Sequence, residues 1–229
     1  MQKSLRMDEL VTRHSAIMDK YDPEKRVGLI IDEWGTWFLS EPGTNPGFLY
    51  QQNTLRDALV AGIHLNIFHN HSDRVYMANI AQMVNVLQAL ILTEGDKLLL
   101  TPTYHVFEMY KVHQDNELLE VNFESPLYTY GGVTIPQLSV SASRDSQGKI
   151  YVSLCNLSHE AGAQLSLAIS GAEASNVSGR ILTHAELGAH NTFEAPDAVA
   201  PAAYEQAVLA DGVLSCALPP ASVVVLTLE

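Results

Sequence analysis

The stretch VGLIIDEWGTWF, Val27 to Phe38, passes from an apolar run into two adjacent carboxylates, Asp32 and Glu33, with Trp34 and Trp37 close behind. Val27 to Ile31 is the short continuous apolar segment expected of a strand covered on both faces. Strand side chains alternate, so only one of Asp32 and Glu33 is expected to point into a given side. In a barrel of parallel strands the C-terminal strand ends line the active site. A carboxylate held there beside an indole face suits a sugar: ring C–H groups stack on the indole, and the carboxylate can attack or stabilise an anomeric carbon. The plainer alternative makes Asp32 a cap for the next segment and Glu33 a surface loop residue.

The flanks of this strand read as helices. Leu10, Val11, His14, Ile17, Met18 and Tyr21 recur at three and four, the stripe of an amphipathic helix that Asp22-Pro23 ends. Beyond a Pro/Gly-rich loop, Leu55, Ala58 and Leu59 mark a second helix, closed near Gly62. Ile63, Leu65, Ile67 and Phe68 then read as a second buried strand, and Met77, Ile80, Ala81, Val84, Leu87 and Ile91 as a third helix. Helix, strand, helix, strand, helix implies parallel strands joined by crossover helices. Two strands cannot close a barrel, so this half is expected to pack on something else or to be part of a larger protein.

After a short helix from Tyr104 to Val112 the texture changes to strands of period two: 117–123, 135–143, 149–157, 163–169, 177–184 and 222–228. Asp145-Ser146-Gln147-Gly148 reads as a hairpin turn between two of them, and residues 190–206 as a long loop. Strands at this spacing predict a β-sandwich. The expected fold class is α/β followed by all-β, with a barrel part over 1–96 and a sandwich over 97–229. Cys155 and Cys216 could meet across neighbouring strands, but two thiols are too few for a disulfide framework, and buried free cysteines are the simpler reading.

Thirteen Lys and Arg against 26 Asp and Glu give 229 residues a net charge of −13, with 47% hydrophobic residues. That balance fits a folded protein and disfavours phosphate backbones and anionic lipid, so neither nucleic acid nor membrane is an expected partner. No apolar run approaches the roughly 20 residues of a membrane helix, and MQKSLRMDELVTRHS lacks the apolar core of a signal peptide, so the cytoplasm is the default location. His69, His71 and Asp73, in FHNHSD, raise a metal site at a strand end. Further ligands with clear spacing are missing, so the preferred reading is two polar histidines lining a barrel mouth with Asp73-Arg74 as a local pair. Neither metal nor cofactor is expected.

The run IDEWGTWF, Ile31 to Phe38, and the chain from Glu41 to Asn116 closely resemble the C-terminal part of the α-L-arabinofuranosidases of glycoside hydrolase family 51. The match is dense over residues 27–116 and looser through the sandwich to Glu229. The resemblance implies the end of a (β/α)8 TIM barrel followed by a jelly-roll sandwich, and a retaining glycosidase. The family's nucleophile is the glutamate of Asp-Glu-Trp at the end of strand seven, the position of Glu33. Its sugar-lining tryptophan matches Trp37, and the substrate-contacting glutamine of Ala-Gln-(apolar)-Val-Asn, after strand eight, matches Gln82. Asp32 is expected to support the site rather than react. The family acts on arabinose-containing oligosaccharides and polysaccharides, without a metal, and its members often form homo-oligomers.

One departure matters. Retaining hydrolysis needs a second carboxyl group about 5–5.5 Å from the nucleophile. The family supplies it after an asparagine on strand four, whereas the only Asn-Glu here is Asn116-Glu117, at the start of the sandwich. The chain begins at what would be the sixth barrel helix, so the expected partner is the missing N-terminal barrel half, and the chain alone is expected to be inactive. The competing reading is a non-catalytic sandwich that packs on a barrel or binds carbohydrate. Tyr128, Tyr130 and Tyr151 could serve such a module, although strand tyrosines are more often core residues.

Overall fold

The computed structural model describes residues 1–171 and 174–229. Helix α1 spans Gln2–Tyr21, and its C-terminal backbone is closed by the Asp22 N–H donating to Met18 O at 2.8 Å. Strand β1, Leu29–Trp34, follows, then helix α2, Leu55–Asn70, and strand β2, Val75–Ile80. The two strands are parallel, and among the described residues each pairs only with the other.

Two sequence expectations fail here. Residues 63–68 are not a strand but the second half of α2, which runs through Gly62 without a break. Residues 77–91 are not a helix but β2 followed by a loop and the start of β3. The first failure comes from burial. Twelve of the sixteen α2 residues are buried, so the helix shows no polar face and its period is hidden. Gly62 is there for close approach: a Cβ at this position would lie 2.6 Å from Cys155 Sγ. The N-terminus of α2 carries a capping box, with Thr54 and Asp57 bonding reciprocally to each other's backbone.

A hairpin follows, β3 (Ile91–Glu94) and β4 (Lys97–Leu100), then helix α3, Pro102–Tyr110, with Thr101 as its N-cap. The rest is strands: β5 (Glu117–Leu119), β6 (Leu127–Tyr130), β7 (Val133–Pro136), β8 (Leu138–Arg144), β9 (Ile150–Asn156), β10 (Ala163–Ala168), β11 (Val177–Thr183), β12 (Ala202–Ala203), β13 (Ala207–Ala210), β14 (Val213–Leu218) and β15 (Ser222–Leu228). A six-stranded sheet ordered β12-β11-β15-β9-β8-β5 faces a three-stranded sheet ordered β10-β14-β13, and β6-β7 forms a separate hairpin. The predicted turn 145–148 joins β8 to β9. Strands β13 and β14 lie where the sequence reading placed none.

Two cores share the six-stranded sheet. Between the sheets lie Leu138, Val140, Leu154, Leu214, Cys216, Val224, Leu226 and Leu228. On the other face, Cys155, Leu182, Val223 and Val225 join the core of α2, α3 and Trp34. Alternation along β15 explains its run of valines: successive residues feed opposite cores. The two cysteines therefore sit in different cores, both free and buried.

The seam between α2 and the sheet is partly polar. Ser139, Ser141 and Ser143 project from one face of β8. Asn66 Nδ2 donates to Ser139 Oγ at 3.1 Å, Ser141 Oγ donates to Asn66 Oδ1 at 2.9 Å, and Asn70 Nδ2 donates to Val140 O at 3.0 Å. His113 is bonded through both ring nitrogens, to Ser143 Oγ at 2.7 Å and Ser153 Oγ at 2.6 Å.

Candidate active site

Glu33 stands near the C-terminal end of β1. Ile31 lies opposite Ala78 and Trp34 opposite Ile80, so β1 advances three residues while β2 advances two. This bulge at Asp32-Glu33 corrects the expectation of strict alternation. Ile31 and Trp34 both pack on the helix layer, and both carboxylates between them are exposed. On a regular strand Glu33 would share the face of Ile31 and be driven into the core.

Trp34 anchors the turn. It is 4% exposed, stacks on Phe107 at 5.8 Å with planes 11° apart, and meets Phe68 edge-on at 5.4 Å. His64 lies 5.0 Å from the same indole; burial pushes its imidazole down to about 4, and Nδ1 is 2.8 Å from Val60 O. Trp37, by contrast, is 66% exposed.

The loop bearing Trp37 is held by residues that the sequence reading did not single out. The Thr36 N–H donates to Gln88 Oε1 at 3.0 Å, and Thr36 Oγ1 donates to Asp57 Oδ1 at 2.9 Å. Gln51 Nε2 donates to Thr36 O at 3.2 Å, and the Phe38 N–H donates to Gln51 Oε1 at 2.8 Å. Gln88 Nε2 in turn donates to Asp57 O at 2.6 Å. Gln51, Asp57 and Gln88 are all buried, so the loop is held from inside the fold by side chains that have no freedom to turn away. Gln51 opens the polar run Gln51-Gln52-Asn53-Thr54 and Asp57 follows Arg56, so a single sequence does not separate them from loop polarity.

Gln82 is exposed and lies just past β2. The Ala81 N–H donates to Trp34 O at 2.9 Å, continuing the ladder to the strand ends, and the Ala81–Gln82 peptide bond is cis. Glu33, the Trp37 loop and Gln82 thus share one end of the β1-β2 pair.

The FHNHSD residues are elsewhere. They close α2 at the opposite end from its capped N-terminus, not a strand end at a barrel mouth. His69 is turned to the sandwich, with Nδ1 3.2 Å from Ser141 Oγ, and burial pushes it down to about 4. His71 Nε2 lies 2.7 Å from Asp8 Oδ1. Asp73 pairs with Lys25 rather than Arg74. Arg74 is fully buried, bound to Asp19, Asp22 and the carbonyl oxygens of Val27 and Asp22, and ties α1 to the start of β1. Among the described residues no cluster of three or more His, Cys, Asp or Glu could hold a metal ion. Glu117, of the only Asn-Glu pair, lies in β5 at the edge of the sandwich, where Arg144 Nη2 donates to its carboxylate at 2.7 Å.

Comparison with known proteins gives a consistent result. The family described as alpha-L-arabinofuranosidase C-terminal domain matches residues 32–222. An intracellular exo-alpha-L-arabinofuranosidase of Bacteroides ovatus is 43% identical over 230 residues, covering 100% of this chain and 45% of that protein. An intracellular exo-alpha-(1->5)-L-arabinofuranosidase of Streptomyces lividans is 29% identical over 87% of this chain and 32% of its own length. The crystal structure of the GH51 arabinofuranosidase from Xanthomonas axonopodis pv. citri superposes with a TM-score of 0.97 at 51% identity, covering 100% of this chain and 46% of that one. The chain therefore spans less than half the length of these relatives.

Proposed function

The chain belongs to the α-L-arabinofuranosidase C-terminal domain family, and from that premise we propose that it is the nucleophile-bearing part of a retaining exo-α-L-arabinofuranosidase. One observation carries the reading: the bulge exposes Glu33 at the strand end it shares with Gln82 and the pinned Trp37 loop. We assign the barrel part to residues 1–96 and the sandwich to 97–229.

In this mechanism the Glu33 carboxylate attacks the anomeric carbon of a terminal α-L-arabinofuranosyl residue of arabinan, arabinoxylan or their oligosaccharides. The glycosidic C–O bond breaks as a second carboxyl group protonates the leaving oxygen. The same group then takes a proton from water, which displaces Glu33 and releases arabinose with its configuration retained. Trp37 offers an apolar face to the furanose ring, and Gln82 a hydrogen-bonding amide. Glu117 is engaged in the sandwich, and this reading takes the acid/base group from barrel strands outside these 229 residues. No metal or cofactor enters the chemistry. The Bacteroides ovatus and Streptomyces lividans relatives are described as intracellular, and on that ground we place the enzyme in the cytoplasm.

Covalent trapping tests the assignment. An activated 2-deoxy-2-fluoro-arabinofuranoside is incubated with an assembly that contains the complete barrel, and the labelled peptide is sequenced by mass spectrometry. The expected adduct is on Glu33. An adduct on any other carboxylate overturns the assignment.

A further inference from the structure

Hairpin β6-β7 presents an aromatic face that the proposed reaction does not use. Tyr128 and Tyr130 are two apart on β6, hence on one face, and they pair across the hairpin with Ile135 and Val133. All four line a cavity of about 410 Å³ whose wall also includes His159, Arg56 and, from the start of the sequence, Met1 and Gln2. That volume lies within the roughly 300–1,000 Å³ of small-molecule sites. Thr129 and Thr134, on the other face, bond to each other at 2.8 Å and are exposed.

The polar groups converge. Tyr128 Oη and His159 Nδ1 share a hydrogen bond of 2.5 Å, and the His159 ring meets Tyr130 edge-on, centroids 5.0 Å apart with planes at 85°. Tyr130 is nevertheless 63% exposed, so its ring is open to a ligand. Arg56 donates from Nη2 to Asp57 at 3.1 Å, while its buried Nε has no partner. Its guanidinium carbon lies 4.0 Å from the centre of the Phe38 ring. Phe38 follows Trp37 directly, in the loop of the proposed sugar site.

Resting on the reading of Glu33 as an arabinofuranosidase nucleophile, we propose that the Tyr128–Tyr130–His159–Arg56 cavity is an accessory subsite for a neutral pentose oligosaccharide. It holds sugar residues of the same substrate away from the cleaved bond. An aromatic face with a few fixed donors and acceptors fits a ring with apolar C–H faces and peripheral hydroxyls. Arg56, the cationic side chain of the wall, is already paired with Asp57 at 3.1 Å, which weakens its pull on an anionic ligand.

The test is a titration of the 229-residue chain with α-1,5-linked arabinotriose, followed by amide NMR. The resonances of Tyr128, Tyr130 and His159 are expected to move saturably. Tyr130→Ala is expected to weaken binding about tenfold, the loss of one aromatic contact, while Tyr130→Phe retains it. Maltotriose is expected to leave these resonances unmoved. Unmoved resonances with arabinotriose, undiminished binding by Tyr130→Ala, or an equal response to maltotriose overturns the subsite. Trapping at Glu33 together with an unresponsive hairpin overturns the subsite alone; a responsive hairpin with trapping elsewhere overturns the nucleophile alone.

Discussion

The extra residue in β1 turns Glu33 away from the helix layer, and a carboxylate so placed has little to do for stability. Glu33→Gln is therefore expected to leave the melting temperature within a few degrees and to abolish turnover. In an enzyme with a complete barrel, hydrolysis of an aryl α-L-arabinofuranoside should fall on the order of 10³-fold or more. Acid stability is set elsewhere, by buried imidazoles that include His64, His69 and His113. Burial and the neighbouring His69 ring push His113 down to about 3, and burial pushes His69 to about 4, from 6.5 in an open chain. The unfolded chain thus binds protons that the folded chain refuses, and stability falls as pH drops below about 6.5 towards 4. His113→Asn should lower the urea midpoint at pH 7 but flatten its decline between about pH 6.5 and 5, as read by fluorescence-monitored unfolding. Glu33, Trp37 and Gln82 could be picked out because they resemble a known motif. Gln51, Asp57 and Gln88 could not, because a buried amide and a solvated one look alike until the fold surrounds them.

Helix α2 is where reading the sequence and observing the fold part most. α1 carries a stripe of period three to four, although of that stripe only Val11 is buried and Leu10, Ile17 and Tyr21 are exposed, and its predicted end at Asp22 matches the structure. The strands expected at 135–143, 149–157 and 222–228 also came through, at 138–144, 150–156 and 222–228, since short β-branched and apolar runs bounded by turn residues mark them. α2 has neither advantage: packed between α1, α3, the β1-β2 pair and the sandwich, it is apolar nearly all round, and its glycine resembles a stop. That glycine gives a sharp test. Gly62→Ala places a Cβ 2.6 Å from Cys155 Sγ and 3.5 Å from Val223 Cγ2. The helix must lift from the sheet, at an expected cost of about 1–3 kcal/mol in denaturant unfolding. Removing the sulfur relieves the clash, so Gly62→Ala with Cys155→Ala should cost less than the sum of the two single changes.

The molecule as a whole joins a complete sandwich core to an incomplete barrel edge. β1 and β2 bond to each other alone among the described residues, and Ile30 and Met77, opposite one another, are 50% and 53% exposed. The 229-residue chain on its own is expected to show no measurable turnover of an aryl α-L-arabinofuranoside. Losing the acid/base group costs about 10²–10⁴-fold, and losing the rest of the sugar cradle costs more. Supplying the remaining barrel strands in trans should restore part of the rate, and a rate near that of an intact enzyme without them would refute the account. A different consequence follows from β15. It is the last strand in chain order, it lies between β9 and β11 near the middle of the larger sheet, and its side chains serve both cores. During synthesis every earlier strand leaves the ribosome before the one that joins them, so neither half can settle early: the helices beside Glu33 wait for the same seven residues as the sandwich.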